Sequence, residues 1–247
     1  MSIVNPLVVM GGGPSLKLDH FPLVADFDTI GMNGAYRYYY KNNWWPKYFS
    51  CFDYAVTDNH REAWKKMIED PEVPIERFFL LRNISQSSKL TVLPLNGGIG
   101  KFSTNFKTFG YGGNTGANSC QVGICLGYTK ILLIGIDCDY KKEVVDGAAK
   151  IAGAHLKMER TPDQNPNYFM PDYQQKGDVY NFPQAEKFHR PAWQSLATFA
   201  ASVGVEIINC GETSTLECFP RSTLEVEITK VKEERDNVGS DQNNPVS

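Results

Sequence analysis

The chain has 247 residues, 25 basic and 28 acidic side chains, a formal net charge of -3 and 42% hydrophobic residues. That length fits a single domain of generous size, or one domain carrying an insertion. The slightly acidic balance, with no basic block anywhere along the chain, excludes a nucleic-acid partner recruited by charge.

The opening MSIVNPLVVM has neither a basic segment nor a long apolar one, so no signal peptide is expected. The longest apolar run, ILLIGI at 131–136, falls far short of a membrane span. The expected location is cytoplasmic. Cys51, Cys120, Cys125, Cys138, Cys210 and Cys218 include no CxxC pair and read as free thiols of a reducing compartment, not as a disulfide framework or a zinc site.

In chain order, LVVMG (7–11), DTIGMN (28–33), KYFSCFD (47–53), RFFLLR (77–82), KILLIGID (130–137) and VEIINC (205–210) read as strands. They are nearly continuous apolar runs, which suits parallel strands covered by helices on both faces. Between them, HREAWKKMIED (60–70) places Ala63, Trp64, Met67 and Ile68 on one face of a helix. TGANSCQVGICLG (115–127) predicts a closely packing helix that stops at Gly127. PAWQSLATFAASVG (191–204) predicts another, with Pro191 at its start and Gly204 at its end. The fold class is therefore α/β: a doubly wound, Rossmann-like, mainly parallel sheet spanning 1–230.

Residues 141–188 break this rhythm. They are polar, proline-punctuated and rich in tyrosine and phenylalanine, and they predict a lid inserted before the last helix. After about residue 230 the composition turns charged and then rich in Asn, Ser and Pro, so 231–247 predicts a flexible tail.

The chemistry-bearing residues fall at strand ends. Gly11, Gly12, Gly13 and Ser15 follow the first strand, where glycines let backbone N–H groups approach a phosphate. The spacing is neither the dinucleotide GxGxxG nor a GK[ST] phosphate loop, and a plain tight turn is the alternative. Asn33, Asp53, Asp137, Asp139 and Tyr140 end other strands. Asn114, Thr115 and Gly116 open the small-residue helix, whose N-terminus favours an anion such as a nucleotide phosphate. Each of these singly also serves as a cap or turn residue. His20, His60 and His155 read as surface histidines. His189, just ahead of Pro191, reads either as a plain surface histidine at a helix start or as an imidazole kept neutral by the helix dipole and by Arg190, and so able to accept a proton.

Taken together and in this order, GGGPSLK, FDTIGMN, YFSCFD and the block NTGANSCQVGICLGYTKILLIGIDCDY, with a histidine ahead of a late helix, resemble the bacterial lipooligosaccharide sialyltransferases and the wider Maf-type glycosyltransferase group. The resemblance spans roughly residues 7–220. It implies a CMP-type nucleotide-sugar donor held by the loop and strand-end residues, Asp137 included, and a lid that closes over it. It also implies inverting transfer of a sialic, nonulosonic or Kdo-like sugar to a hydroxyl of a surface glycan or lipid-linked oligosaccharide. His189 would be the base, and Tyr140 would stabilise the departing phosphate. Tyr168, Tyr173 and Arg190 would face the lid and acceptor. No cofactor is obligatory, although Asp53, Asp137 and Asp139 are the ligands if Mg2+ takes part. Three positions depart from the pattern: the family has asparagine where Gly12 and Asp53 stand, and its arginine ahead of Thr115 has no counterpart in FGYGGN. A related branch is a pterin pyrophosphokinase using ATP and Mg2+, and a nucleotide-binding protein without transfer activity is the third reading. Peripheral contact with the inner face of the membrane and homo-oligomerisation stay open.

Overall fold

The apolar runs of the sequence become the centre of a seven-stranded parallel sheet. The computed structural model describes residues 5–241. In chain order the elements are β1 (Leu7–Met10), α1 (His20–Leu23), β2 (Asp28–Met32), α2 (Tyr36–Asn42), β3 (Tyr48–Cys51), α3 (Tyr54–Asn59), α4 (Arg61–Glu69), β4 (Arg77–Leu80) and β5 (Leu90–Val92). There follow α5 (Thr115–Cys125), β6 (Lys130–Ile134), β7 (Ala148–Lys150), β8 (His155–Met158), β9 (Val179–Asn181), α6 (Arg190–Ser202), β10 (Glu206–Asn209) and α7 (Leu224–Asp241).

The large sheet has the order β10-β6-β1-β2-β3-β4-β5. In the middle, Val8 pairs with Thr29 on one side and Leu132 on the other. The direction of winding reverses between β1 and β6. In a doubly wound sheet the ligand crevice lies at that point, outside the carboxyl ends of the strands. Helices cover both faces. On one, Trp64, Met67 and Ile68 of α4 pack with Val8, Phe49 and Phe78. On the other, Cys120 and Val122 of α5 and Trp193 and Leu196 of α6 pack with Leu7, Val9 and Leu133. Each such fully buried large side chain contributes about 1.5–3 kcal/mol relative to exposure.

The structure departs from the expectations in several places. The half-exposed edge strand β5 and the helices α2 and α3 are additional elements. Residues 231–241 are not a flexible tail but the continuation of α7, so α6 is not the last helix. The reason is an apolar stripe, Leu224, Ile228 and Val231, buried in the core. Arg235 adds a 2.6 Å hydrogen bond to the Asn5 side chain and lies 4.8 Å over the Phe27 ring. The rest of the expected tail, 242–247, lies outside the described residues.

His20 and His60, read as surface residues, are buried. His60 sits against the Trp64 ring, and its Nδ1 lies 3.2 Å from the Tyr36 hydroxyl.

Residues 141–188 fold into a small antiparallel sheet, β7-β8-β9, with ordered connections. This segment is fastened to the main body at several points. Arg37 donates two hydrogen bonds to the Asp178 carboxylate (2.7 and 2.8 Å) and a third to the Tyr173 carbonyl. The Asn59 side chain bonds the backbone on both sides of Asp178, at Gly177 and Val179. Among the described residues, no helix is long and apolar enough to cross a membrane.

Candidate active site

A cavity of ≈780 Å³ opens at the carboxyl edge of the large sheet, between the strand-end loops and the 141–188 segment. Nearly all the residues singled out in the sequence line it: Gly11, Gly12, Gly13, Asn33, Asp53, Asn114, Thr115, Gly116, Asp137, Asp139, Tyr140, Tyr168, Tyr173 and His189. Ser15 and Arg190 are not in its wall.

The glycine loop is shaped by close approach. A Cβ on Gly11 would fall 2.2 Å from the Gly135 carbonyl oxygen, and the Gly11 and Gly13 N–H groups donate to the Ile134 and Gly135 carbonyls (both 2.8 Å). Those two donors therefore hold β1 to β6 and are not turned to a phosphate. The next turn is closed by Asp137. Its Oδ2 accepts from the Ser15 N–H (3.1 Å) and hydroxyl (2.9 Å), and its Oδ1 accepts from Thr213 (2.7 Å). Ser15, expected to bind nucleotide, is 2% exposed and has its hydroxyl committed to this carboxylate. Asp137 lines the cavity but acts as a brace.

The remaining strand-end residues combine capping with an open functional group. Asn114 caps α5 through Oδ1, which accepts from the Ala117 N–H (2.8 Å), while its buried Nδ2 has no partner. Asn33 sits at a left-handed backbone position (φ 52°), and its buried Oδ1 has no partner either. A buried polar atom without a partner is costly, and backbone strain of this kind collects at ligand sites. Both residues lie in the cavity wall, and each leaves one amide atom without a partner in the protein. Thr115 instead ties β3 to α5, its Oγ1 accepting from the Phe52 N–H (3.1 Å). Asp53 caps α3 through Val56 and accepts from the Asn181 side chain of β9 (2.7 Å), which joins the main body to the small sheet.

His189 closes a single π-helical turn, Ala185–His189, that leads directly into α6. Such turns are rare and recur at functional sites. Burial lowers the imidazole pKa below its ordinary 6.5, with the Asp53 carboxylate acting in the opposite sense. The neutral form expected from the sequence is therefore favoured, but by desolvation and not by Arg190. Arg190 points away from the cavity. It bonds Glu186, the Cys138 carbonyl, and the carbonyl and hydroxyl of Thr215, which corrects its expected acceptor role. The Tyr140 ring lies 6.0 Å from His189, and Tyr168 stacks on Tyr173 at 4.1 Å. Burial raises the pKa of all three phenols, so they remain hydrogen-bond donors near neutral pH.

The candidate carboxylates already hold protein partners: Asp137 accepts from Ser15 and Thr213, Asp53 from Val56 and Asn181, and Asp139 is paired with Lys141. Among the described residues no three His, Cys, Asp or Glu side chains converge as metal ligands. Nor does any lysine or arginine line the cavity. The sequence reading missed Tyr111, Gln174, Asn181 and Gln184, which line it from loops with no distinctive local pattern.

The fold, with its cavity at the switch point, is a doubly wound, Rossmann-like α/β architecture. No protein-family model and no curated protein sequence matches the chain. Among solved structures, the chain is similar to the Maf glycosyltransferase of Magnetospirillum magneticum AMB-1, with 14% identity and a TM-score of 0.51 over 96% of this chain. The chain spans 38% of that protein's length. It is also similar to the α-2,3-sialyltransferase Cst-I of Campylobacter jejuni (16% identity, TM-score 0.48, 96% of each chain). A third similar structure is the Campylobacter jejuni sialyltransferase CstII bound to cytidine-5'-monophosphate (14% identity, TM-score 0.45, 87% of this chain and 84% of that one). The likeness to the Maf glycosyltransferase is one of fold, and the fold implied by the sequence resemblance is the one observed.

Proposed function

We propose that the chain is a glycosyltransferase that moves a sugar from a CMP-type nucleotide-sugar to a hydroxyl of a surface glycan or lipid-linked oligosaccharide, with inversion. The observation that carries this reading is His189: a desolvated imidazole at the end of a π turn, in the wall of a cavity that Asn33, Asn114 and Tyr140 also line. The acceptor O–H gives its proton to the imidazole as the oxygen attacks the anomeric carbon. The bond from that carbon to the phosphate oxygen breaks, and the nucleotide leaves with the electron pair. Tyr140 and Tyr168 donate hydrogen bonds to the departing phosphate. With no cation in the wall, these phenols and the N-terminus of α5 are the groups suited to the developing charge. The sugar is a sialic, nonulosonic or Kdo-like one, and its carboxylate would be met by amide and phenol donors.

The step as proposed uses this chain's own groups, since Asp53, Asp137 and Asp139 each already hold a protein partner. The same facts, with the absence of a lysine or arginine in the cavity wall, weigh against a triphosphate substrate and hence against the pyrophosphokinase reading.

The test is a thermal-shift panel of CMP, CDP, UDP, GDP and ATP, each with and without Mg2+, followed by turnover of CMP-sugars. A ligand at a hundred times its Kd adds about 2.7 kcal/mol of stability. CMP is expected to stabilise without metal, and His189→Ala to retain that shift while losing about two to four powers of ten in rate. ATP stabilising only with Mg2+ would overturn the assignment. CMP binding with no turnover of any CMP-sugar would leave a nucleotide-binding protein.

A further inference from the structure

Between the end of β6 at Ile134 and the start of β7 at Ala148 the chain has no regular structure, and Tyr140 lies in the middle of that stretch. Among the described residues, no backbone–backbone hydrogen bond involves residues 139–144. A stretch without such bonds opens readily unless side chains replace them. At its near end the Cys138 carbonyl accepts from Arg190 and from the Thr215 hydroxyl. Its far end is held by Asn167.

Asn167 pairs with the peptide groups on both sides of Lys142. Its Oδ1 accepts from the Lys142 N–H (3.1 Å), and its Nδ2 donates to the Lys142 carbonyl (2.5 Å). A side-chain amide carries the donor and the acceptor of a backbone unit, so it supplies the pairing that the stretch lacks. Asn167 is 6% exposed, and water competes little for these bonds. It is itself fixed from behind. Its N–H donates to the Asn165 Oδ1 (3.2 Å), and the Asn165 Nδ2 donates to the Gln174 Oε1 (3.0 Å). Asn165 and Gln174 are buried as well.

Both partners of this pairing stand next to a phenol. Asn167 is followed directly by Tyr168, and Lys142 comes two residues after Tyr140. One amide thus joins the two chain segments whose tyrosines are assigned above to the departing phosphate. Asn167 lies in the cavity wall, but both polar atoms of its amide are committed to Lys142, so it acts through its neighbours. We infer that Asn167 is a positioning residue for glycosyl transfer, setting Tyr140 and Tyr168 at one fixed separation. That inference rests on the glycosyltransferase reading above.

The test uses two variants of the full chain. Asn167→Ala removes both bonds to Lys142. Asn167→Asp keeps the size and the acceptor but turns an oxygen onto the Lys142 carbonyl, which separates hydrogen bonding from packing. In both, kcat for transfer from a CMP-sugar should fall about tenfold to a hundredfold while the donor KM changes less than about threefold. Phosphorus NMR of bound CMP supplies the second readout. The resonance should move in Tyr140→Phe and Tyr168→Phe, and in the same sense in Asn167→Asp. A kcat within about twofold of wild type in Asn167→Asp would overturn the role. So would a lower thermal stability with the resonance and kcat both unchanged, which is what packing alone predicts. A wild-type chain that binds CMP and transfers no sugar would overturn the glycosyltransferase reading instead. The phosphorus resonance then still decides whether Asn167 sets the phenols at a phosphate.

Discussion

The Tyr173 ring occupies the space that a side chain on Gly12 would need: a Cβ there would lie 2.7–2.9 Å from three of its atoms. Gly34 meets the same ring from β2's end, with its hypothetical Cβ at 2.9 Å. Two glycines far apart in sequence thus form a seat for one aromatic side chain from the 141–188 segment. Next to it, the Phe169 N–H donates to the Gly12 carbonyl (3.0 Å).

Gly12→Ala is therefore expected to destabilise the protein by about 1–3 kcal/mol through overpacking. In Tyr173→Ala the same substitution should cost distinctly less, because the clash is gone. Thermal or urea denaturation of the four chains of this double-mutant cycle checks it. Additive effects would mean that the loop and the ring are not coupled.

Asn114 allows capping and ligand contact to be separated. Asn114→Asp keeps an oxygen for the Ala117 N–H, so stability should stay within about 0.5 kcal/mol. It replaces the unpaired Nδ2 with an acceptor, however, and places a negative charge where a phosphate is expected. CMP affinity should fall about tenfold or more, corresponding to the 1–3 kcal/mol typical of a lost donor. Isothermal titration gives the answer, and unchanged affinity would remove Asn114 from the nucleotide contacts.

The His189 imidazole should give transfer an acid limb. A base works only when deprotonated, and burial lowers this pKa below 6.5. Activity should therefore hold as pH falls through 6.5 and be lost only at more acid values. A pH–kcat profile with its acid limb above 6.5 would contradict the desolvated setting described here.

His60 should leave a separate mark on stability. Burial holds its folded-state pKa near about 4, against 6.5 in the unfolded chain. Above 6.5 both states are neutral. As pH drops from 6.5 towards 4, the unfolded chain takes up a proton that the folded one does not, so stability falls by about 3 kcal/mol across that window. His60→Gln should flatten this part of the stability–pH curve, as followed by urea unfolding.

The strands were readable because burial on both faces leaves an unbroken apolar run, as in LLI of β6 and VVM of β1. β5 escaped notice because Leu90–Val92 is a short, half-exposed edge with little to distinguish it from a loop. α2, YRYYYKN, hides its period among aromatics and has no side-chain cap. At the site, Asn114 and Asp53 read as nucleotide contacts with capping as the alternative for each, and both do cap helices. What could not be read were partners far away in sequence: Asp137 for Ser15, Thr215 for Arg190, Tyr173 for Gly12. Each consists of ordinary residues that acquire meaning only when the chain returns.

Asp137 links more than the glycine turn. Its side chain fastens Ser15 and Thr213, its carbonyl accepts from the Thr215 N–H (2.9 Å), and Thr215 in turn receives Arg190, the neighbour of His189. The glycine loop, on which the proposed donor would lie, and the turn that carries the imidazole thus belong to one hydrogen-bonded frame. Their separation is set when the chain folds, so the loss of freedom needed to align them falls on folding and not on each turnover. Alignment of this kind turns an encounter into an effectively intramolecular step. In the proposed glycosyl transfer, a carboxylate that touches no reacting atom would thereby help set the rate.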